Sequence, residues 1–97
     1  MSAYWIGRAR TRDPAGLKPY GELVARASQI YPQEVLARGG AYKVLEGEDL
    51  FDRFVIIRFG SMEEAERYYR SPEYQEAAAI RHAACERWDL VITAGMK

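Results

Sequence analysis

The chain has 97 residues, 14 basic against 14 acidic side chains, and a net charge near zero. That length allows one domain with a modest core. The balanced charge argues against nucleic-acid binding, which draws on a basic excess, and leaves little repulsion between copies.

Residues 3–10, AYWIGRAR, alternate. Tyr4, Ile6 and Arg8 point one way and Trp5, Gly7 and Ala9 the other, which predicts a strand with apolar bulk on both faces. Asp13-Pro14 reads as a helix N-cap followed by the first helical residue. Leu17, Tyr20, Val24, Ala27 and Tyr31 then recur at steps of three and four, widened by Leu23 and Ile30, as on an amphipathic helix. Pro19 leaves two readings: an irregular first turn, or a regular helix that starts near Lys18. Pro32 ends the helix. EVLAR and AYKVLE flank Gly39-Gly40, which predicts a two-residue hairpin turn with both glycines at positive φ. EGEDL is a polar turn. RFVIIRF, Arg53 to Phe59, is the strongest strand. Ser61 to Glu64 matches a capping box and opens a short helix through Tyr69. In YYRSPEYQ, Ser71 suits an N-cap, Pro72 the first helical position and Glu73 the positive helix end. This stretch is therefore a junction between two helices rather than a kink or a phosphosite. The last strand is WDLVITA, Trp88 to Ala94, closed by Gly95.

The order is strand, helix, strand, strand, broken helix, strand. It predicts an α+β, ferredoxin-like βαββαβ domain over residues 1–97, with a four-stranded antiparallel sheet and the second helix broken at Ser71-Pro72. The face away from the helices is not polar: Val55, Ile57 and Phe59 oppose Phe54 and Ile56, and Leu90 and Ile92 oppose Val91. Burying each large side chain contributes roughly 1.5–3 kcal/mol, so an apolar second face predicts a homodimer packed sheet on sheet. The single cysteine, Cys85, forms no internal disulfide and fits a reducing cytosol. No run approaches the roughly 20 apolar residues of a membrane span, and MSAYWIGRARTRDP lacks the apolar run of a signal peptide. The expected setting is cytoplasmic, with no membrane partner.

ARGG at 37–40, VLEG at 44–47, VIIRF at 55–59, SPEYQ at 71–75 and IR at 80–81 resemble a widespread bacterial family, the domain of unknown function number 1330. The resemblance takes in the Asp13-Pro14 helix start and runs over most of the chain. The chain departs from the family pattern at YPQE before the second strand, at Pro19, and at Arg58, where the family has an acidic residue. The resemblance implies a dimeric α/β barrel, in which two ferredoxin-like sheets face each other across a twofold axis. That superfamily includes cofactor-poor monooxygenases, haem-degrading enzymes and small isomerases, so the resemblance implies fold and assembly rather than one reaction.

Few residues suit chemistry. His82, the sole histidine, is a candidate proton acceptor or single axial haem ligand. His82 and Cys85 lie three apart with no third donor, so no metal site is expected. Cys85 is expected to be a small buried residue rather than a nucleophile. RGGAYK precedes no helix and is no phosphate cradle, and EGED lacks the spacing of a calcium loop. Tyr74, Ala78 and Arg81 share one helix face. Tyr74 and Arg81 are expected to line a cleft between helix and strands, where a phenol and a guanidinium bind a small carboxylate or enolate. Tyr69 and Ser71 at the junction, with Arg38 and Glu46 at the hairpin ends, complete the ligand-binding candidates. The competing reading is an Arg–Glu ion pair that holds the hairpin to the helix. The expected function is binding of a small organic ligand, as in a cofactor-free monooxygenase or isomerase with Tyr74, Arg81 and His82 as catalytic candidates. The alternatives are a non-catalytic interaction protein and a haem-binding protein. A cleft of about 300 Å³ or more supports the first, and a cleft filled by side chains supports the second.

Overall fold

The computed structural model describes residues 1–96. The elements run β1 (Ala3–Thr11), α1 (Pro14–Ile30), β2 (Glu34–Arg38), β3 (Arg53–Phe59), α2 (Met62–Arg70), α3 (Pro72–Ala84) and β4 (Cys85–Ala94). The strands form one antiparallel sheet in the order β2-β3-β1-β4. The helices cover one face of it, which is the expected ferredoxin-like α+β arrangement. Among the described residues no helix is long and apolar enough to cross a membrane.

The alternation of β1 sorts the two faces. Ala3, Trp5, Gly7 and Ala9 are buried under the helices, while Tyr4 and Ile6 are half-buried and Arg8 is exposed on the other side. The small residues beside Trp5 leave room for large rings. Phe59, Tyr68 and Tyr74 pack around its indole with centroids 5.7, 5.2 and 5.0 Å away, tilted or edge-on as aromatic quadrupoles prefer. A second cluster of Tyr20, Val24 and Ala77 joins α1 to α3.

Helix α1 corrects both readings of Pro19. Asp13 caps the Gly16 amide, Pro14 begins the helix, and the helix runs unbroken through Pro19. Pro19 has no N–H for the Ala15 carbonyl, but both residues are exposed, so solvent can serve that carbonyl.

The predicted Gly39-Gly40 hairpin is also corrected. Residues 41–46 form no strand. Strand β2 pairs instead with β3, the long β-branched strand, from Glu34↔Arg58 to Arg38↔Val55 with a bulge between Val35 and Ala37. Only Gly39 of the pair has a positive φ, 66°, whereas the predicted turn needs two. The segment after it lies over the outer face of the sheet. There Tyr42 meets Phe54 at 5.1 Å, and Phe51 is buried beneath the Arg8 guanidinium at 4.1 Å.

The Ser71-Pro72 junction is as expected. The buried Ser71 hydroxyl accepts the Tyr74 amide at 3.1 Å and donates to the Tyr68 carbonyl at 2.6 Å. It caps α3 while closing the last turn of α2. Helix α3 then passes directly into β4 at Cys85, ahead of the expected Trp88. Ser71→Ala removes both bonds and is expected to cost about 1–2 kcal/mol in urea unfolding. An unchanged midpoint would show that the junction does not depend on the hydroxyl.

Candidate functional site

Strand β4 is an edge strand, and the helices leave part of its inner face open. Trp88, Leu90 and Ile92 project there, opposite α2 and the C-terminal half of α3. The result is a cleft of about 380 Å³ whose walls include Trp5, Tyr69, Arg81, His82 and Trp88. The His82 imidazole lies flat on the Trp88 indole, 4.5 Å between centroids and 14° from parallel. Tyr69 is half-exposed and leans on Trp5 and Tyr74 at 6.2 and 5.7 Å.

Arg81 supplies the charge. It is only 7% exposed, and its guanidinium carbon sits 6.0 Å from the Tyr74 ring centroid. Its Nη2 approaches His82 Nε2 at 3.5 Å, the long limit of a hydrogen bond, and its Nε has no partner. The ion pairs among the described residues join Arg8 to Asp89, Arg10 to Asp49 and Glu86, Arg58 to Glu34, and Arg70 to Glu66. None involves Arg81, so the alternative Arg–Glu tie between hairpin and helix is absent. A buried cation without a counter-ion is costly unless something answers it.

The other candidates separate. Tyr74 is 1% exposed and stands behind the cleft wall rather than on it. Burial holds its phenol far above the usual range, and burial likewise pushes Tyr68 up to about 12. Arg38 lies on the same inner face, beside a small cavity shared with Tyr68 and Tyr74. Glu46 stands on the opposite face, in a groove with Phe54 and Ile56, and does not meet the cleft. Ser71 is 4% exposed and uses its hydroxyl on backbone groups, so it positions the tyrosines and lies outside this cleft. The cleft wall also contains residues that sequence reasoning did not select, among them Trp5, Glu66, Arg70 and Trp88. Trp88 was legible, because it is in phase with Leu90 and Ile92 on one strand face.

His82 has its basicity lowered, first by desolvation and then by the Arg81 charge. At neutral pH it is an uncharged imidazole able to take a proton. Its Nε2 faces Arg81 and its ring face is covered by Trp88, which leaves little approach for a metal along that nitrogen. Among the described residues no three His, Cys, Asp or Glu side chains cluster to hold a metal ion.

The sequence model of the family described as "Domain of unknown function (DUF1330)" matches residues 2–96. The chain belongs to this family. No curated protein matches its sequence. Solved structures show the same fold at low identity. A protein of unknown function from Rhodopseudomonas palustris is 20% identical, with a TM-score of 0.76 over 99% of this chain and 83% of that one. A dimeric ferredoxin-like protein of unknown function from Jannaschia sp. is 10% identical, with a TM-score of 0.79 over 98% and 100%. The hydroxynitrile lyase of Passiflora edulis is 17% identical, with a TM-score of 0.72 over 95% and 91%. This DUF1330 chain is thus a small ferredoxin-like protein whose similar structures include dimers.

The lowered His82 pKa has a definite sign. Above the ordinary 6.5 both folded and unfolded imidazoles are neutral, and the shift has no effect. Below it the unfolded chain binds a proton that folded His82 resists, so stability falls as pH drops from 6.5 through the folded pKa. An NMR titration of His82 is expected to have its midpoint below 6.5, and Arg81→Met to raise it part of the way back. A parent midpoint at or above 6.5 would contradict the partly desolvated placement.

Proposed function

We propose that this DUF1330 protein binds a small, flat organic anion in the cleft at Arg81. The carrying observation is the buried guanidinium with no carboxylate within ion-pair distance among the described residues; Glu66, the carboxylate on the cleft wall, pairs with Arg70 instead. A carboxylate or enolate would supply the missing counter-charge through charge-assisted hydrogen bonds. The indoles of Trp5 and Trp88 and the ring of Tyr69 give such a ligand aromatic walls, and the volume of about 380 Å³ is that of a small-molecule site. This favours a ligand site over a purely structural interaction protein.

The same arrangement suits metal-free acid–base chemistry. Arg81 would steady an enolate or similar anion, and neutral His82 would accept the proton at Nε2 once Arg81 Nη2 turns from that nitrogen to the anion. The Passiflora protein of similar fold is a hydroxynitrile lyase, so this scaffold can carry an enzyme site. Tyr74 acts from behind, as the ring on which Arg81 rests. The lone Cys85 is buried and its thiol is held up in pKa, chiefly by that burial, consistent with an inert residue in a reducing cytoplasm.

Benzoate, salicylate and anilinonaphthalene sulfonate are suitable probes, read by tryptophan fluorescence. At least one is expected to bind, and Arg81→Met to weaken it about tenfold to a hundredfold, the range for a hydrogen bond to a charged group. Failure of all three, or equal binding by the variant, would overturn the reading.

We further propose that two copies pair through the outer sheet face. Val91 there is 55% exposed, and Tyr42, Val44 and Leu45 border an open groove over Phe54 and Ile56. Dimers among the proteins of similar fold support this. Light scattering on a sizing column is expected to give twice the 11.1 kDa chain mass, and Val91→Glu to give a folded monomer. A parent protein that elutes as a monomer at micromolar concentration would contradict the interface.

A further inference from the structure

Behind Trp5 lies a second space that the cleft does not reach. Two small cavities of about 10 and 20 Å³ sit between the sheet and α1. Trp5, Tyr20 and Val55 line both of them. Each is near the smallest volume that admits one water molecule.

The buried side-chain polar atoms without a hydrogen-bond partner in the described residues are Tyr68 Oη, Tyr74 Oη, Gln33 Oε1 and Arg81 Nε. They do not scatter through the core. Tyr68 and Tyr74 line the smaller cavity and Arg81 the larger one. Gln33 lies beside the Tyr68 hydroxyl and Tyr20 beside that of Tyr74, each near enough to shift the phenol through a hydrogen-bond contact, though neither contact reaches full hydrogen-bond geometry. Buried polar groups are almost always satisfied, so a cluster of exceptions around water-sized spaces points to an occupant.

The charge around the two phenols narrows its chemistry. The groups that act most on them are Tyr20, Arg38, Arg81 and Gln33, with Tyr68 acting on Tyr74, and no carboxylate is among them. Burial keeps both phenols protonated at physiological pH, so each has an O–H to donate. Donors under a positive field favour an electron-rich oxygen and disfavour a cation.

We propose that this tyrosine chamber is a binding site for a single hydrogen-bond-accepting oxygen, held by the hydroxyls of Tyr68 and Tyr74 behind Trp5. Its source is water in the free protein, or the carbonyl oxygen of a small neutral molecule that displaces it. The site is separate from the anion site at Arg81 and does not rest on that reading.

High-resolution crystal structures of the full chain, with and without an acetone soak, test this. The free crystal is expected to show an oxygen within hydrogen-bond range of both hydroxyls. In the soaked crystal, an acetone carbonyl at that position identifies carbonyl compounds as ligands, and a retained oxygen identifies water as the occupant; either supports the site. An empty chamber in both crystals would overturn it. Thermal melts of Tyr68→Phe and Tyr74→Phe give a second measurement that keeps the ring packing. Loss of a bound oxygen predicts a lower Tm, whereas a raised Tm, the mark of a relieved unsatisfied hydroxyl, would also overturn the proposal. Benzoate binding by Tyr68→Phe is expected to be unchanged, so the chamber and the anion cleft can fail independently.

Discussion

The hydroxyl of Ser71 decides where the aromatic centre of this protein lies. It holds the end of α2 and the start of α3 together by bonding backbone on both sides, to the Tyr68 carbonyl and the Tyr74 amide. On one continuous helix, residues 68 and 74 would lie about 120° apart around the axis and point in clearly different directions. The break at Pro72 removes that restriction, and the two rings come within 5.0 Å of each other on the same side of Trp5. Burial of these rings, rather than the intrinsic preference of α2, then holds a helix of only 9 residues in place. Tyr69, the next residue of α2, is turned outward by the helical step and becomes part of the open cleft wall instead.

Two arginines show how differently the two faces of the sheet treat charge. Arg8 grips Asp89 with two hydrogen bonds, 3.0 and 2.7 Å, and ties β1 to β4 across the outer face. The hydrogen bond to Arg8 holds the Asp89 carboxyl below its usual range. Both side chains are nearly half-exposed, so the pair contributes at most about 1 kcal/mol and mainly fixes geometry. Arg81 on the inner face has the reverse character: buried, with the edge of an imidazole and a distant ring face as neighbours. A cation over an aromatic ring is worth only about 0.5–2 kcal/mol and weakens with distance. The outer face answers its charge within one chain, whereas the inner face leaves Arg81 without an ion-pair partner among the described residues.

Much of this was legible in the sequence, for physical reasons. Strands and helices were set by strong periodicity and by side-chain caps at Asp13, Ser61 and Ser71, each of which acts within three residues of itself. The errors arose where distant partners compete. AYKVLE has the composition of a strand, but β3 takes the pairing with β2, and the apolar residues of that segment cover the outer face instead. Pro19 is tolerated because its turn is exposed, a fact that periodicity alone does not reveal. For the site, Arg81 was found from helical spacing with Tyr74, but the spacing could not show that Tyr74 lies behind the wall. Glu46 was placed near Arg81 by a hairpin that does not exist. Tyr68 was overlooked because two adjacent tyrosines look alike in a sequence, and only the direction of α2 tells which of them is buried.

Trp5 joins these features and limits what the cleft can hold. Its indole borders the open cleft and both inner cavities. It is 2% exposed and packed among Phe59, Tyr68, Tyr69 and Tyr74. A ring held on so many sides has few other rotamers available, because each would have to displace a neighbouring aromatic from a dense core. Gly7 adjoins it, but a Cβ there would make only ordinary contacts, Leu90 Cδ1 at 3.4 Å and the indole nitrogen at 3.8 Å, so the aromatic neighbours rather than the glycine hold the ring. That side of the wall is therefore rigid, and only the rim of the Trp5 indole reaches the cleft. The aromatic area open to the cleft belongs to Tyr69 and Trp88, which are 46% and 40% exposed. The proposed anion would take its ring contacts from those two side chains and meet the Trp5 rim as a fixed limit on how deep it can go.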